Sequence, residues 1–527
     1  MSIFTSDLTW IILWPVIGAL LVYAAPARIA RWVGLCVAAL VFLITLFVFF
    51  KLAFGSGFGN LTNLHDSYRA PWINFNTGGV PFKVDYALGV DGLSLPLVVL
   101  NGLLTMLAII GGWEKERVKE YIALILLLEA GVMGVFMAMD LILFFLFWEV
   151  ELAPMFLLIG IWGNPHLKHG MPGRIYSAWK FLLYTFFGSI FMLAGILLLY
   201  FTNVSHGGTP TAYMPYLATH FINGSIAVFG ITTGVQLVTF LLIFVAFAVK
   251  IPMFPFHTWL PDAHTDAPTE VSVILAGVLL KMGAYGLIRI CLTLLPQGVH
   301  QFAGWLAVFA VINIIYGALV CLVQTDMKRL IAYSSVSHMG IVLLGVAAAA
   351  SSGNEAFRMA ALTGATVQMF SHGIISGLLF FCVGVIYDHA HTREISVFGG
   401  VAKRMPMLAT LFTFAALASL GLPGLAGFVA EYMVFTSSFQ NLSTITLISV
   451  FTMILTAAYL LWMIKRVFYG PFNPKWNWLP DANAREMIPL YALAGVIVFV
   501  GIYPLPLIQT ITPSLTQLMH AAVAFIR

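Results

Sequence analysis

The stretch AFAVKIPMFPFHTWLPDAH, residues 246–264, ends a long apolar run with one lysine and two prolines. Lys250 stands at the end of that run, and Pro252 and Pro255 follow it closely. Proline removes a backbone donor and breaks a helix. An ionisable side chain at the centre of a membrane helix costs about 2.5–3.5 kcal/mol on insertion scales. The stretch therefore predicts a broken helix that carries a buried charge at the break.

The composition outside this stretch indicates a chain embedded in lipid. Apolar side chains make up 61% of the 527 residues and charged ones only 9%, against about 25% charged in soluble domains. Apolar runs long enough to cross a bilayer as helices recur throughout the sequence. We expect an all-α polytopic membrane protein, one domain over residues 1–527, with about fourteen transmembrane helices near 8–26, 32–54, 90–111, 119–138, 140–162, 174–203, 228–256, 267–295, 300–324, 328–350, 355–388, 406–437, 443–470 and 486–511.

The basic residues predict the orientation. If the N-terminus lies outside, most lysines and arginines fall in inner connections, among them Arg28, Lys115, Lys328 and Lys465. This bias predicts that both termini lie on the outer, periplasmic side of an energy-transducing membrane, most simply a bacterial inner membrane. The net charge of +4 then reflects sidedness and gives no indication of nucleic-acid binding. The segment NFNTGGVPFKVDYALGVDG, in the polar insert 55–89 and just beyond it, predicts a small outer hairpin.

A second interrupted span suggests an internal repeat. The stretch SLGLPGLAGFVAEY, residues 419–432, breaks the twelfth span around Pro423 and Gly424, as the prolines break the seventh. Interrupted spans at corresponding places in two halves indicate a transporter with inverted repeats. We expect a first five-helix repeat over 119–295 (helices 4–8) and a second over 300–470 (helices 9–13), each with one broken helix.

Ionisable residues within the spans are the candidate functional groups. They are Glu149, Lys250, Lys281, His338, His372 and Glu431, with Glu129 as a secondary candidate. Groups that are costly to charge change protonation when a nearby charge moves, so the set predicts a proton relay. A static buried ion pair between Glu149 and Lys250, or a structural scaffold with no transport role, is the alternative.

His257, Asp262 and His264 follow the first break. Pro261 interrupts them, so they do not share the helix face that zinc ligands need. We interpret them as a secondary proton-path cluster or a loop anchor, and we expect no metal. Four cysteines without paired spacing and the lack of nucleotide-binding or nucleophile motifs predict no cofactor in this chain.

Several stretches together resemble the antiporter-like membrane subunits of respiratory complex I. They are WEVELAPMF around Glu149, VKIPMFPFHTWLPDAHTDAPTEVSVILAGVLLKMGAYG (249–286), QTDMKRLIAYSSVSHMG (324–340), QMFSHGIISGLLF (368–380) and LPGLAGFVAEY (422–432). The resemblance covers essentially the whole chain.

The resemblance implies roles for the buried residues. Glu149 and Lys250 would form a modulating pair, Lys281 the central relay lysine, His338 and His372 bridging positions, and Glu431 the terminal group. It implies a non-redox, proton-translocating subunit of an NADH:quinone oxidoreductase, with L-like and N-like membrane neighbours and with flavin and iron–sulfur clusters in partner subunits. An Mrp-type cation/proton antiporter subunit, or the equivalent subunit of a hydrogenase or a ferredoxin- or F420-linked complex, is the alternative.

Overall fold

A computed structural model of the chain describes residues 6–55, 65–77, 80–220, 222, 224–228 and 231–526, and most of these residues are helical. The first half contains α1 (Asp7–Ala24), α2 (Ala27–Gly55), α3 (Leu95–Gly111), α4 (Val118–Met137), α5 (Leu141–Val150), α6 (Leu152–Trp162), α7 (Gly173–Ser205), α8 (Met214–Leu217), α9 (Val235–Lys250), α10 (Trp259–Asp266), α11 (Thr269–Ile274) and α12 (Leu280–Gly286). The second half contains α13 (Pro296–Leu322), α14 (Met327–Ala350), α15 (Glu355–Ala390), α16 (Pro406–Ser419), α17 (Ala426–Asn441), α18 (Ser443–Val450), α19 (Thr452–Ile464), α20 (Ala484–Ile502) and α21 (Leu505–Ile526).

The helices confirm the predicted multi-span architecture. Eleven helical segments among the described residues are long and apolar enough to cross a membrane. The shorter apolar helices α3, α9 and α16 fall within the remaining predicted spans. Two bounds were wrong. The seventh span starts at Val235 because the residues before it form a hairpin, and the last span ends at Ile502 because Pro504 stops the helix.

Short antiparallel strand pairs lie in the connections between helices. The predicted outer hairpin is β1 (His65–Thr77) with β2 (Val80–Val90), and the others pair β3 (Leu167–Lys168) with β4 (Met171–Pro172) and β5 (Ser225–Val228) with β6 (Ile231–Gly234). The β1–β2 hairpin rests on the bundle through Tyr200, whose hydroxyl donates to the Pro81 carbonyl at 3.0 Å and accepts from the Lys83 amide at 2.9 Å.

The bundle has two distinguishable ends. The hairpin end carries β1–β2, and the C-terminal helix α21 reaches it, since Ser514 Oγ accepts from the Gly92 amide at 2.8 Å. The opposite end, here called the basic end, joins the connections 112–117, 163–172, 323–326, 391–405 and 470–483. Contacts such as Trp162 Nε1 to the Glu116 carbonyl (2.7 Å) and the Ile395 amide to the Thr325 carbonyl (2.8 Å) hold these connections together.

Both predicted helix breaks are present. After α9 ends at Lys250, a short 3₁₀ turn (Phe256–Thr258) leads into α10. The second break separates α16 from α17, and Gly421 and Gly424 adopt φ values of +82° and +89° there. Glycine takes such angles without the Cβ clash that other residues suffer. The interruption therefore stays open between two helical halves.

The segment that carries Lys281 has an unpredicted irregularity. Two π-helical stretches, Leu275–Leu279 and Leu287–Leu292, flank α12. Wider π turns tend to occur at functional sites, because they displace backbone carbonyls from the regular pattern. The most apolar 18-residue stretches of this segment and of α15 are buried completely, and that of α14 nearly so, which places them at the centre of the molecule.

Candidate proton path

Lys250 lies at the first helix break and is fully buried. Its ammonium pairs with the carboxylate of Glu151, which is also fully buried. The ammonium also lies 5.3 Å from the ring centre of Trp148 and 5.4 Å from that of Phe181. A buried cation needs such partners, because removing one member of a buried ion pair costs about 3–5 kcal/mol.

The prediction that Glu149 pairs directly with Lys250 is corrected here. Glu149 and Glu151 are two residues apart, and side chains at that spacing point to different sides of a helix. Glu149 is only partly buried, interacts with Ser189 of α7, and lies near enough to sense the charge of Lys250. Glu151 stands at the junction of α5 and α6 and faces the break instead. The motif WEVELAP contains both glutamates, but the sequence alone does not show which of them faces Lys250.

Lys281 is the next group inward, and it too is fully buried. Its Nζ donates to the Ala276 carbonyl in the first π-helical stretch and lies 2.7 Å from His372 Nδ1. Gly283, two residues on, packs against the Cβ of Lys250, so the two lysines stand on adjoining elements. Neutral partners stabilise an ammonium less than a carboxylate does. Of Lys250 and Lys281, Lys281 is therefore the one whose charge is more easily given up.

Two histidines continue from Lys281 towards the second break. His372 Nε2 lies 3.2 Å from Ser335 Oγ, and the rings of His372 and His338 are 5.7 Å apart between centres. His338 Nε2 lies 3.1 Å from Ser419 Oγ at the end of α16. Its other ring nitrogen, Nδ1, lies 3.2 Å from Glu431 Oε1. The structure thus places Lys281, His372, His338 and Glu431 in one connected row.

A small cavity lies between the two histidines. It offers about 10 Å³ to the centre of a water molecule and is lined by His338, His372, Gln368, Ser419 and Glu431, among others. That space suits about one water. Gln368 Oε1 is buried beside it without a partner among the described atoms. A water molecule here would bridge His372 and His338, the one step of the row without a direct hydrogen bond.

Glu431 also lines a second cavity. This one measures about 170 Å³ and is bounded by α17 residues and by Gly421, Val450 and Met453. Glu431 therefore separates the single-water cavity at the centre from a larger space beside α17. A group in that position can receive a proton on one side and release it on the other.

The secondary candidates do not form one cluster. His257 Nε2 lies 3.2 Å from the Tyr316 hydroxyl, whereas Asp262 joins Lys168, Lys180 and Arg329 at the basic end. His264 is fully buried, stacks on Phe380 with ring centres 4.7 Å apart, and neither ring nitrogen has a partner among the described atoms. The loop-anchor interpretation thus fits Asp262, whereas His264 lies near enough to Lys281 and His372 to interact with them electrostatically.

Among the described residues, Glu129 has no hydrogen bond to the row. Both of its carboxyl oxygens are buried without a hydrogen-bond partner among the described atoms. Its backbone carbonyl accepts from Asn101 Nδ2 at 3.2 Å, which joins α4 to α3 at this residue. Among the described residues no hydrogen bond joins the Glu129 carboxyl to Lys281 or the histidines, and its role in a proton path stays a prediction.

Two further buried charge clusters escaped the sequence interpretation. At the hairpin end, Arg289 donates to Asp91 Oδ2 at 2.6 Å. At the basic end, Glu270 accepts from the Tyr121 hydroxyl at 2.9 Å and pairs with Lys115 at 3.4 Å. The Glu270 carboxylate raises the pKa of Lys115, which stands in the connection before α4. Both clusters involve residues close to predicted span ends, where a charge usually reaches solvent.

Comparisons with known proteins agree with this architecture. Residues 138–456 match the family described as "NADH:quinone oxidoreductase/Mrp antiporter, TM". The chain is 42% identical over 501 residues to "NADH-quinone oxidoreductase subunit M" of Rhodobacter capsulatus, covering 94% of this chain and 91% of that one. It is 39% identical over 526 residues to "NAD(P)H-quinone oxidoreductase chain 4" of Gloeobacter violaceus, covering 97% and 92%.

A solved structure shows the same fold. A chain in "Respiratory complex I from Thermus thermophilus with bound NADH" superposes with a TM-score of 0.82 at 26% identity, covering 97% of this chain and 99% of that one. The family match covers more than half of the present sequence, and the relatives align over nearly all of it. The chain belongs to the NADH:quinone oxidoreductase/Mrp antiporter family of transmembrane subunits.

Proposed function

We propose that this chain is a proton-translocating, non-redox membrane subunit of an NADH:quinone oxidoreductase. The observation that carries the proposal is the connected row Lys281–His372–His338–Glu431, which begins beside the buried Lys250–Glu151 pair. The names of the M-type and chain 4 relatives support the same assignment. Flavin and iron–sulfur centres would belong to partner subunits, and L-like and N-like membrane subunits would be its neighbours.

The Lys250–Glu151 pair acts in this proposal as the switch. While the pair is closed, the carboxylate neutralises the lysine. When a charge displaced by quinone reduction elsewhere in the complex opens the pair, Lys250 becomes an uncompensated cation next to the element that carries Lys281. Like charges in a medium of low dielectric repel strongly. Lys281 then releases its proton to His372, with which it is already in contact.

Transfer beyond His372 follows the geometry of the row. The proton passes from His372 through the single-water cavity to His338 and then to Glu431, which accepts it. Histidine suits this role because each ring nitrogen can gain a proton while the other gives one up. Glu431 faces the larger cavity and would release the proton on the hairpin side. That side is the outer, periplasmic one if both termini lie outside a bacterial inner membrane.

The inverted repeat is part of the proposal. Within 119–295, Glu151 in the middle of the fifth span pairs with Lys250 at the break of the seventh. Within 300–470, His338 of the tenth span contacts Glu431 of the twelfth. The same two spans of each five-helix unit thus provide an acid–base couple, and one member of each stands at a broken helix. This correspondence supports a repeat that places two related couples in series.

A cation/proton antiporter subunit of the Mrp type is the second candidate, because the family description includes both classes. A related hydrogenase or a ferredoxin- or F420-linked complex would keep the mechanism and change the electron donor. The decisive first experiment is to tag the chain, purify it in mild detergent, and test NADH-dependent quinone reduction. Flavin and iron–sulfur absorbance with that activity supports the proposal. Material with no redox centres that exchanges sodium for protons contradicts it.

Variants in the purified complex then test the relay. We expect Lys281→Ala, which removes the first residue of the row, and Glu151→Gln, which opens the pair with Lys250, each to abolish coupled proton pumping while the complex still assembles. His166→Ala is the matched control, because His166 is exposed in the connection after α6. Normal proton-to-electron ratios in both test variants would contradict the proposed path.

A further inference from the structure

A pocket at the basic end lies outside the proton path. It measures about 310 Å³ and lies between the loop after α15 and the end of α19, lined by Ser396, Phe398, Gly399, Lys465, Arg466 and Pro471, among others. Its walls are fixed by hydrogen bonds between the two loops. The Asn473 amide donates to the Gly399 carbonyl at 3.0 Å, and Trp476 Nε1 donates to the Val397 carbonyl at 2.8 Å. The pocket therefore has a defined shape, because hydrogen bonds hold together the two loops that form it.

The charge of the pocket is positive. Lys465 and Arg466 are both exposed, and within the described part of the chain neither has a carboxylate within ion-pair distance. The Arg466 guanidinium lies 4.4 Å from the Trp462 ring centre. Lys403 stands on the neighbouring loop over Phe472. Among the described residues, the carboxylate hydrogen-bonded to the lining is Glu394, which accepts from Ser396 Oγ at 3.2 Å. Cationic groups outnumber it, so the pocket favours an anion.

An apolar stripe runs directly away from this pocket along the same helix. Phe451, Ile454 and Leu461 are 62%, 66% and 47% exposed. Their spacing of three and seven residues, and the four residues from Leu461 to Lys465, keep them on one helical face. The stripe thus extends from the cationic pocket along the membrane-spanning part of the helix. A ligand that satisfies both must have an anionic head and long apolar tails.

We infer that this pocket binds the phosphate headgroup of an anionic phospholipid whose acyl chains lie along the Phe451–Leu461 stripe. Basic pockets between transmembrane helices on the cytoplasmic side are suited to such headgroups. Free phosphate shares the headgroup chemistry but leaves the stripe unexplained. The inference depends on the chain spanning a membrane and is independent of the proton row, whose nearest members lie at the centre of the bundle.

The test uses the intact purified complex in nanodiscs. Discs of phosphatidylcholine alone are compared with discs of phosphatidylcholine and phosphatidylglycerol, each with a trace of photoactivatable phosphatidylglycerol that carries its label on the acyl chain. Cross-linked peptides are identified by mass spectrometry. The variant Lys465→Ser/Arg466→Ser removes the two cations, and Arg28→Ser/Lys119→Ser removes two basic residues of the same end away from the pocket. NADH:quinone activity verifies that each complex is assembled.

We expect labelling of segment 451–469 in the wild type and the control, competed by unlabelled phosphatidylglycerol. In the pocket variant we expect labelling to fall roughly 10- to 30-fold, from the loss of two cations near a lipid phosphate. Equal labelling in the variant and the control would overturn the inference. So would loss of the label on adding millimolar inorganic phosphate, which indicates a free-phosphate site, or cross-links from this segment to another subunit. If the variant fails to assemble, competition by phosphatidylglycerol but not phosphatidylcholine in the wild type decides the question.

Discussion

At the scale of single residues, the choice of partner at Lys250 depends on which way a helix turns. Glu149 and Glu151 are separated by one residue in the same motif, and only Glu151 pairs with Lys250. The same scale decides Lys281. A carbonyl displaced by the π-helical stretch and one histidine nitrogen surround its ammonium, which leaves a buried base whose proton has an adjacent acceptor.

A double-mutant cycle tests the assignment of Glu151. Glu151→Gln leaves Lys250 as an unpaired buried cation, and Lys250→Met removes that cation, so the double variant avoids most of the penalty. We expect a coupling of about 1–3 kcal/mol between these positions and less than about 1 kcal/mol for the matched cycle with Glu149→Gln. Thermal unfolding of the purified complex measures both. A larger coupling at Glu149 would restore the original sequence assignment.

His372 provides the second test at this scale. His372→Gln retains a hydrogen-bonding side chain but cannot carry a proton at neutral pH. We expect quinone reduction coupled to pumping to fall at least about 100-fold, the usual lower contribution of a positioned acid–base group, in a complex that still assembles. The measurement is the rate of NADH-driven quinone reduction and of proton pumping in proteoliposomes, with His300→Gln as control, since His300 bonds a carbonyl near the hairpin end. Unchanged rates in His372→Gln would remove this residue from the row.

At the scale of elements, each broken helix converts a continuous rod into two halves that present a residue to the centre. The second break depends on close packing as well as on its glycines. A Cβ on Gly427, in the first turn of α17, would lie 2.1 Å from the Ala418 carbonyl of α16. The two halves of this helix can therefore approach only where a side chain is missing, and this approach brings Glu431 towards His338.

We expect Gly427→Ala to separate α16 from α17 and to lose coupled pumping, with destabilisation of roughly 1–3 kcal/mol from overpacking. Gly304→Ala in α13 is the matched control, because a Cβ there meets open space. Helix propensity alone would make that control neutral or slightly stabilising. Proton pumping and thermal midpoints of the two variants, measured side by side, separate a steric effect from a general cost of replacing glycine. Equal behaviour of the two would contradict the packing argument.

Asp140 links the hairpin to α5 and predicts a pH dependence. Its carboxyl accepts from the amides of Asp85, Ile142 and Leu143 at 2.9–3.2 Å, and burial raises its pKa to about 6. Because the folded pKa exceeds the unfolded value, the native state holds the proton more tightly. The stabilisation is complete below about pH 4 and is lost as the pH rises through 6.

The variant Asp140→Asn keeps a capping oxygen and cannot ionise. We therefore expect its stability relative to the wild type to improve between pH 4 and pH 7 by up to about 3 kcal/mol, the linkage equivalent of two pKa units. Thermal unfolding at several pH values measures the difference, in which carboxylates common to both proteins cancel. A difference that does not vary with pH would show that Asp140 ionises freely.

At the scale of the whole molecule, the two ends of the bundle differ in chemistry. The hairpin end carries the β1–β2 hairpin and the C-terminal helix, whereas the basic end gathers the connections rich in lysine and arginine. With Cys36 replaced by serine, we expect Lys83→Cys and Arg404→Cys to react with a membrane-impermeant maleimide from opposite faces of sealed inverted and right-side-out vesicles. Both side chains are exposed in the structure. Labelling of both from the same face would contradict the proposed orientation.

Much of the fold was accessible from local patterns. Apolar run length predicted the spans, because backbone groups in lipid must bond within a helix. Gly and Pro predicted both breaks, because their effects on φ and on backbone donors are local. The hairpin was equally local. The π-helical stretches were missed because they do not follow from hydropathy. The helix end at Ile502 was missed although Pro504 marks it locally.

The candidate site was only partly accessible. Sequence by itself determined which ionisable residues lie within spans, since an ionisable side chain in an apolar run is visible without coordinates. Only the tertiary structure decided that Glu151 faces Lys250, that Lys281 meets His372, and that Glu431 stands between two cavities. These contacts join elements far apart in the chain. They depend on helix rotation and on close approaches at particular glycines, and no local pattern of residues encodes either quantity.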